Sequence, residues 1–155
     1  MSIPHGARWS RTAVHDTVPE GIRLGLILGT ATWLWVAMVD TVATGQPLRS
    51  FTALGGVLVF TVLHYILNLT YGVVLLSVVH GAERTPSLIF GALFGVLLFE
   101  VAFAMLTIVL AQYALGRTAW VAVFGGSVIG TAIAYTVLAR THPLLVYLRR
   151  AEQES

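Results

Sequence analysis

The stretch SFTALGGVLVFTVLHYILNLTYGVVLLSVVHGA, residues 50–82, contains no carboxylate, lysine or arginine. Arg49 stops it at one end and Glu83-Arg84 at the other. About 20 residues of α-helix cross the roughly 30 Å of hydrocarbon in a bilayer, so the segment is long enough to span one. A transmembrane barrel strand would alternate polar and apolar positions over about ten residues, and this run does not. It reads as a membrane-crossing helix.

The same reading extends in both directions. Between Arg23 and Gln46 the only charge is Asp40, between Arg84 and Arg117 it is Glu100, and between Arg117 and Arg140 there is none. Spans are expected over residues 19–44, 51–80, 86–113 and 119–140. The fold class that follows is all-α, a polytopic transmembrane four-helix bundle. Composition agrees: of 155 residues, 57% are hydrophobic and 10% charged, against about 25% charged in a soluble domain. So few charges could not cover a water-soluble globule.

Local signals mark the expected ends. Thr17-Val18-Pro19-Glu20 has the pattern of a capped helix start. Ser50, Thr85-Pro86 and Thr118 are candidate caps for the next three helices. Gly45-Gln46-Pro47 ends the first span and His142-Pro143 the last. Residues 1–18 and 141–155 then flank a membrane domain of 19–140, and the run 144–150 is suited to lie along the membrane surface. The first 20 residues lack the apolar core of a signal peptide, so the first span is expected to be retained.

Arginine placement gives orientation. With four spans both termini share one side, which holds Arg8, Arg11, Arg23, Arg84, Arg140, Arg149 and Arg150, while Arg49 and Arg117 face the other. The positive-inside rule then makes both termini cytoplasmic. Trp120 and Tyr113 fall near the outer ends as interfacial anchors. A net charge of +2 is too small to suggest a nucleic-acid partner. The absence of cysteine excludes disulfides, thiolate metal sites and dithiol redox chemistry.

Lipid supplies no hydrophobic drive between helices, so small residues that admit close backbone approach carry the packing. Three stripes qualify: Gly21, Gly25 and Gly29; Gly91 and Gly95; and Gly126 with Gly130, flanked by Ala122 and Ala134. They can serve packing within the bundle, or an interface with a second copy or a larger membrane complex.

The second span also carries polar residues at helical spacing. Thr61, His64, Asn68 and Tyr71 share one face, which lipid should turn inward. His64 lies near the middle of the expected second span and Glu100 near the middle of the third, so depth allows them to meet. A charged group at mid-bilayer costs about 2.5–3.5 kcal/mol on insertion scales, so Glu100 needs a partner, a wet cavity or a proton. The candidate polar centre is His64, Asn68, Tyr71 and Glu100. It serves as a register-fixing hydrogen-bonded pair or as a site for protons or a polar ligand, or else Glu100 faces lipid. Asp40 is a secondary candidate near the outer end of the first span, expected to pair with Arg49 or Arg117 or to reach water. His80 is expected at the cytoplasmic interface.

Chemistry is limited by these positions. A bis-histidine haem needs two histidines at one depth on different helices, and His80 lies on His64's own helix about 24 Å further along. His64 and Glu100 make two ligands where a metal site needs three or four. Hydrolase, P-loop and zinc-protease motifs are absent. No catalytic residue, metal or cofactor is expected.

The order of features resembles an uncharacterised group of small four-span bacterial integral membrane proteins. The matching elements, within residues 21–145, are Trp33 with Asp40, Gly45-Gln46-Pro47-Leu48, His64-Tyr65, Phe99-Glu100 and His142-Pro143. The resemblance implies a bacterial inner membrane and draws attention to Asp40, His64 and Glu100 without giving them a role. The reading that follows is a non-enzymatic accessory or assembly component that packs with itself or a partner in the lipid bilayer. Its rivals are a small proton-coupled transporter or polar-ligand-binding bundle using Glu100 and His64, and a haem- or quinone-binding redox subunit.

Overall fold

The structure is a computed structural model and describes residues 12–84 and 89–141. These residues form five helices: α1 (Thr12–Thr44), α2 (Arg49–Ala53), α3 (Val57–Arg84), α4 (Ile89–Leu115) and α5 (Thr118–Thr141). The four long ones each contain a segment long and apolar enough to cross a membrane. The chain is an all-α, four-helix, multi-pass membrane bundle. The Thr85-Pro86 start, the His142-Pro143 stop, the surface run 144–150 and the surroundings of Gly91 lie outside what the structure describes.

Three expected boundaries differ. α1 begins before Thr17 and runs through Pro19. The carbonyl that proline leaves without a donor is four residues back, towards the polar end of the span, where water can satisfy it. The second span does not start at Ser50, which sits inside the short α2. Gly55 and Gly56, at φ +109° and +95°, break the chain in a backbone region that L side chains disfavour, and α3 starts at Val57. Thr118 is the first residue of α5 and not the residue before it, and its hydroxyl donates to the Leu115 carbonyl at 2.6 Å. Gly45 ends α1 as expected, at φ +72° with its N–H on the Thr41 carbonyl at 2.9 Å, a left-handed helix stop. Gly116 stops α4 in the same manner, at φ +59° with its N–H on the Gln112 carbonyl.

α1 lies at the centre of the assembly. Its most extensive contacts are with α3, then with α5; α4 rests on α5 and touches α3 more lightly. The α1–α3 pair approaches backbone to backbone. A Cβ on Gly21 would sit 2.6 Å from the Val73 Cα, and one on Gly25 2.5 Å from the Asn68 carbonyl oxygen. Gly72, on the facing side, abuts the Gly21 carbonyl and the Gly25 amide. The matched pairs run in opposite directions, so the helices are antiparallel. Gly29 completes the stripe against the Tyr65 ring. The Gly21–Gly25–Gly29 stripe therefore works within the bundle.

The other stripes divide. Gly126 and Gly130 make ordinary contacts, each about 3.6 Å, with Trp35 and Thr32 of α1. The tighter position is Gly125, where an added Cβ would stand 2.5 Å from the Trp35 ring. Trp35 packs there and donates its indole N–H to the Val121 carbonyl at 3.2 Å. Gly95 has no atom of another residue within 4 Å of where a Cβ would be, so it packs no helix of its own bundle.

An apolar core joins three helices at the end nearer the chain termini: Leu24 and Leu28 of α1, Leu75, Leu76 and Val79 of α3, and Ala134 and Leu138 of α5. At the opposite end Phe51 of α2 is fully buried, with ring centroids 4.7 Å from Trp33 and 4.8 Å from Phe60. α2 is thus a plug rather than part of a span. Elsewhere the long helices expose leucine, valine, isoleucine and phenylalanine on their outer faces, as a surface solvated by lipid tails requires.

Candidate functional site

The polar residues of α3 do share a face, but they split between two neighbours. Thr61, His64 and Tyr65 turn to α1 and make a ladder of side-chain bonds. The Trp33 indole N–H donates to Thr61 Oγ1 at 3.1 Å. With its Nε2 protonated, His64 donates to the Gly29 carbonyl at 3.0 Å and shares that proton with Thr32 Oγ1 at 3.1 Å. Thr30 Oγ1 and Tyr65 Oη are 2.9 Å apart. Asn68 donates back to the His64 carbonyl at 2.8 Å. The Phe60 ring stacks on the imidazole at 5.6 Å.

This ladder sits where glycines bring α1 and α3 close, so the donors and acceptors meet directly. Interhelical hydrogen bonds in a membrane average about 0.6 kcal/mol each. Three of them fix register more than they add stability. The imidazole is occupied on this seam.

Glu100 has other partners. The Tyr71 hydroxyl donates to its Oε2 at 3.4 Å, and the Thr131 hydroxyl to its Oε1 at 3.3 Å. No hydrogen bond or ion pair joins Glu100 to His64, and the expectation that they meet is corrected. α3 runs over Val57–Arg84 and not over 51–80, because Gly55-Gly56 break the chain before it and the helix continues past His80, so its midpoint lies near residue 70 and not near 65. Glu100, at the middle of α4, therefore levels with Tyr71, which is seven residues or about 10 Å along the helix from His64. Tyr71 stays in a polar centre, but that centre belongs to α3, α4 and α5.

Beside Glu100 lies a groove of about 490 Å³ between α4 and α5. Its walls include Leu97, Val101, Phe124, Val128 and Tyr135, all of them more than 50% exposed except Val101 at 50%. The groove consequently opens on the outer, lipid-facing side of the bundle and not into its interior. Its floor is the half-buried Glu100 with Thr131 and Ser127. His64 is not among the residues that line it.

Asp40 is buried, 2% exposed, beside the equally enclosed Ser50. Neither Arg49 nor Arg117 pairs with it, and it does not reach water. Its Oδ2 accepts the Ser50 backbone N–H at 2.7 Å and its Oδ1 the Ser50 hydroxyl at 2.6 Å. Helix starts leave N–H groups without partners, and Leu48, the residue before α2, offers no side-chain cap. Asp40 supplies that cap from α1, with a negative group at the positive end of a helix. Its role here is to hold the plug.

At the terminal end of the bundle His80 Nδ1 lies 2.7 Å from Thr17 Oγ1, and Nε2 lies 4.0 Å from Glu20 Oε2. This ties the foot of α3 to α1.

Of these clusters only Glu100 is a titratable side chain reachable from outside the bundle at mid-span. It has two hydroxyl donors, Tyr71 and Thr131, and no arginine or histidine within hydrogen-bond reach among the described residues. That arrangement can hold a proton or a cation. No family model, curated protein or solved structure matches the chain.

Proposed function

We propose that the chain is a non-enzymatic accessory or assembly protein of a bacterial inner membrane, with both termini in the cytoplasm, and that it packs with itself or a partner through α4. The supporting observation is the outer face of that helix. Gly95, Leu98, Ala102, Leu106, Val109 and Tyr113 follow one another at helical spacing and are all exposed. Gly95 meets nothing of its own bundle. On α1 and α3 the corresponding glycines are filled by a neighbouring helix. A small residue that leaves a notch in an otherwise bulky apolar face admits a close helix approach, and α4 is the most hydropathic of the four spans.

Arginine asymmetry supports the orientation, and the resemblance to four-span bacterial proteins supports the membrane. Cross-linking in native membranes, followed by native mass spectrometry, tests the reading. The wild-type chain should be recovered as an oligomer or bound to another membrane protein, and Gly95→Ile should reduce that fraction at least several-fold without altering the melting temperature of the purified chain. A wild-type chain that is monomeric throughout contradicts the proposal.

A further inference from the structure

The groove between α4 and α5 lies on a different face of α4 from Gly95, and it has a chemistry of its own. We infer that it is a binding site for an amphiphilic organic cation that enters sideways from the lipid and places its charge on the Glu100 carboxylate. The geometry on which this rests is independent of the assembly reading.

Three observations carry the inference. The first is charge. Glu100 accepts from Tyr71 and Thr131, both neutral, and no arginine lines the groove. Arg117 and Arg140 stand at the two ends of α5, and Thr131 is about 13 Å along the helix from Arg140. A carboxylate in an apolar setting is stable only with a positive partner or a proton. The two hydroxyls orient the carboxyl and satisfy one lone pair on each oxygen, leaving further acceptor positions. A second copy of this chain brings no arginine to mid-span: Arg23 lies within about two turns of the end of the first span, and the other arginines at or beyond the span ends.

The second is size. The volume of about 490 Å³ lies within the roughly 300–1,000 Å³ typical of small-molecule sites. The wall spans Leu97 to Met105 on α4 and Phe124 to Tyr135 on α5, about 12 Å and 16 Å of helix. That is around half the hydrocarbon thickness, the length of a small molecule and short of a track for a whole transmembrane helix.

The third is the wall. Phe124 and Tyr135 line the groove beside Leu97, Val101, Met105 and Val128, above the polar floor of Glu100, Ser127 and Thr131. Ring faces attract organic cations, by about 2 kcal/mol or more where water is excluded. Apolar walls, one carboxylate and flanking aromatics select a greasy monocation over a small hydrated one, which would lose its water without replacement ligands.

The test uses the full chain purified in an uncharged detergent, with tetraphenylphosphonium as the cation and triphenylphosphine oxide as its neutral counterpart. Wild-type protein should bind the phosphonium saturably, and the phosphine oxide at least ten-fold more weakly. Glu100→Gln should weaken phosphonium binding at least thirty-fold. Val128→Trp, which fills the groove and leaves the carboxyl in place, should do the same and covers the case in which Glu100→Gln fails to fold. Leu58→Ala, on an exposed part of α3 away from the groove, should leave binding unchanged. Absence of saturable binding, equal affinity for the neutral compound, or wild-type affinity in Val128→Trp would overturn the inference. Loss of oligomerisation in Gly95→Ile bears on the assembly reading alone.

Discussion

Replacing Gly72 with leucine is expected to prevent the bundle from assembling. Gly72 packs against backbone atoms of Gly21 and Gly25, so the first added carbon meets main chain that no rotamer can move aside. Overpacking a core commonly costs about 1–3 kcal/mol and occasionally more; with backbone on both sides the upper end applies, about 3 kcal/mol. α1 and α3 would have to separate, and the Thr30–Tyr65, Thr32–His64 and Trp33–Thr61 contacts would part together. Gel filtration in mild detergent should show aggregate in place of a single peak, and Gly72→Ala should already lower the melting temperature. Gly95→Leu provides the contrast, because the space around it is open. Its monomer stability should stay within about 0.5 kcal/mol of wild type. A Gly72→Leu chain that elutes and melts normally would contradict the close α1–α3 seam.

Asp40→Ala should be the most damaging change to a single polar side chain. It leaves the Ser50 N–H and hydroxyl buried without an acceptor, and an orphaned buried donor costs about 1–3 kcal/mol. It also removes a negative cap from α2. The expected loss is about 3 kcal/mol, read as a lower melting temperature by circular dichroism or intrinsic tryptophan fluorescence. Trp33, in contact with Phe51 of the plug, should shift its emission as the plug loosens. Asp40→Asn keeps one acceptor oxygen and should fall between wild type and alanine. An alanine variant with wild-type melting would mean that Asp40 does not anchor α2.

The four spans were legible because charge is scarce in this chain and, Asp40 and Glu100 apart, falls towards helix ends. Thirty residues without a carboxylate or an arginine have few alternatives to a membrane helix. The α1 stripe was legible for a similar reason: a four-residue glycine repeat has one geometric consequence. What escaped was mostly single residues whose meaning depends on a neighbour. Gly72 belongs to no repeat and is defined by Gly21 and Gly25 across the seam. Gly125 looks no different from Gly126 until the Trp35 ring lies on it.

The sequence places the polar centre at His64, about two helical turns from Tyr71, where the structure has it. Gly55-Gly56 look like two more small residues in a hydrophobic run, yet they end one helix and start another. That shift separates His64 from Glu100 and aligns Glu100 with Tyr71. Asp40 was read through its charge, which suggested an arginine partner. Its position just before a tight reversal places Ser50 closer, and a serine with an adjacent backbone N–H satisfies a buried carboxyl without a second desolvated charge. The groove was out of reach of sequence, because it is made of outward faces of two helices that meet only in three dimensions.

All of these readings require four helices that cross the bilayer with both termini on one side. The chain has no cysteine, so single cysteines can be introduced without background. Gln46→Cys, Arg117→Cys, Gly81→Cys, Thr141→Cys and Leu98→Cys should be treated with a membrane-impermeant maleimide in intact cells and again after lysis. The expected pattern is labelling of 46 and 117 in intact cells, of 81 and 141 only after lysis, and of 98 in neither. Labelling of 46 and 117 on opposite sides, or of 98 from water, would contradict the four-span bundle.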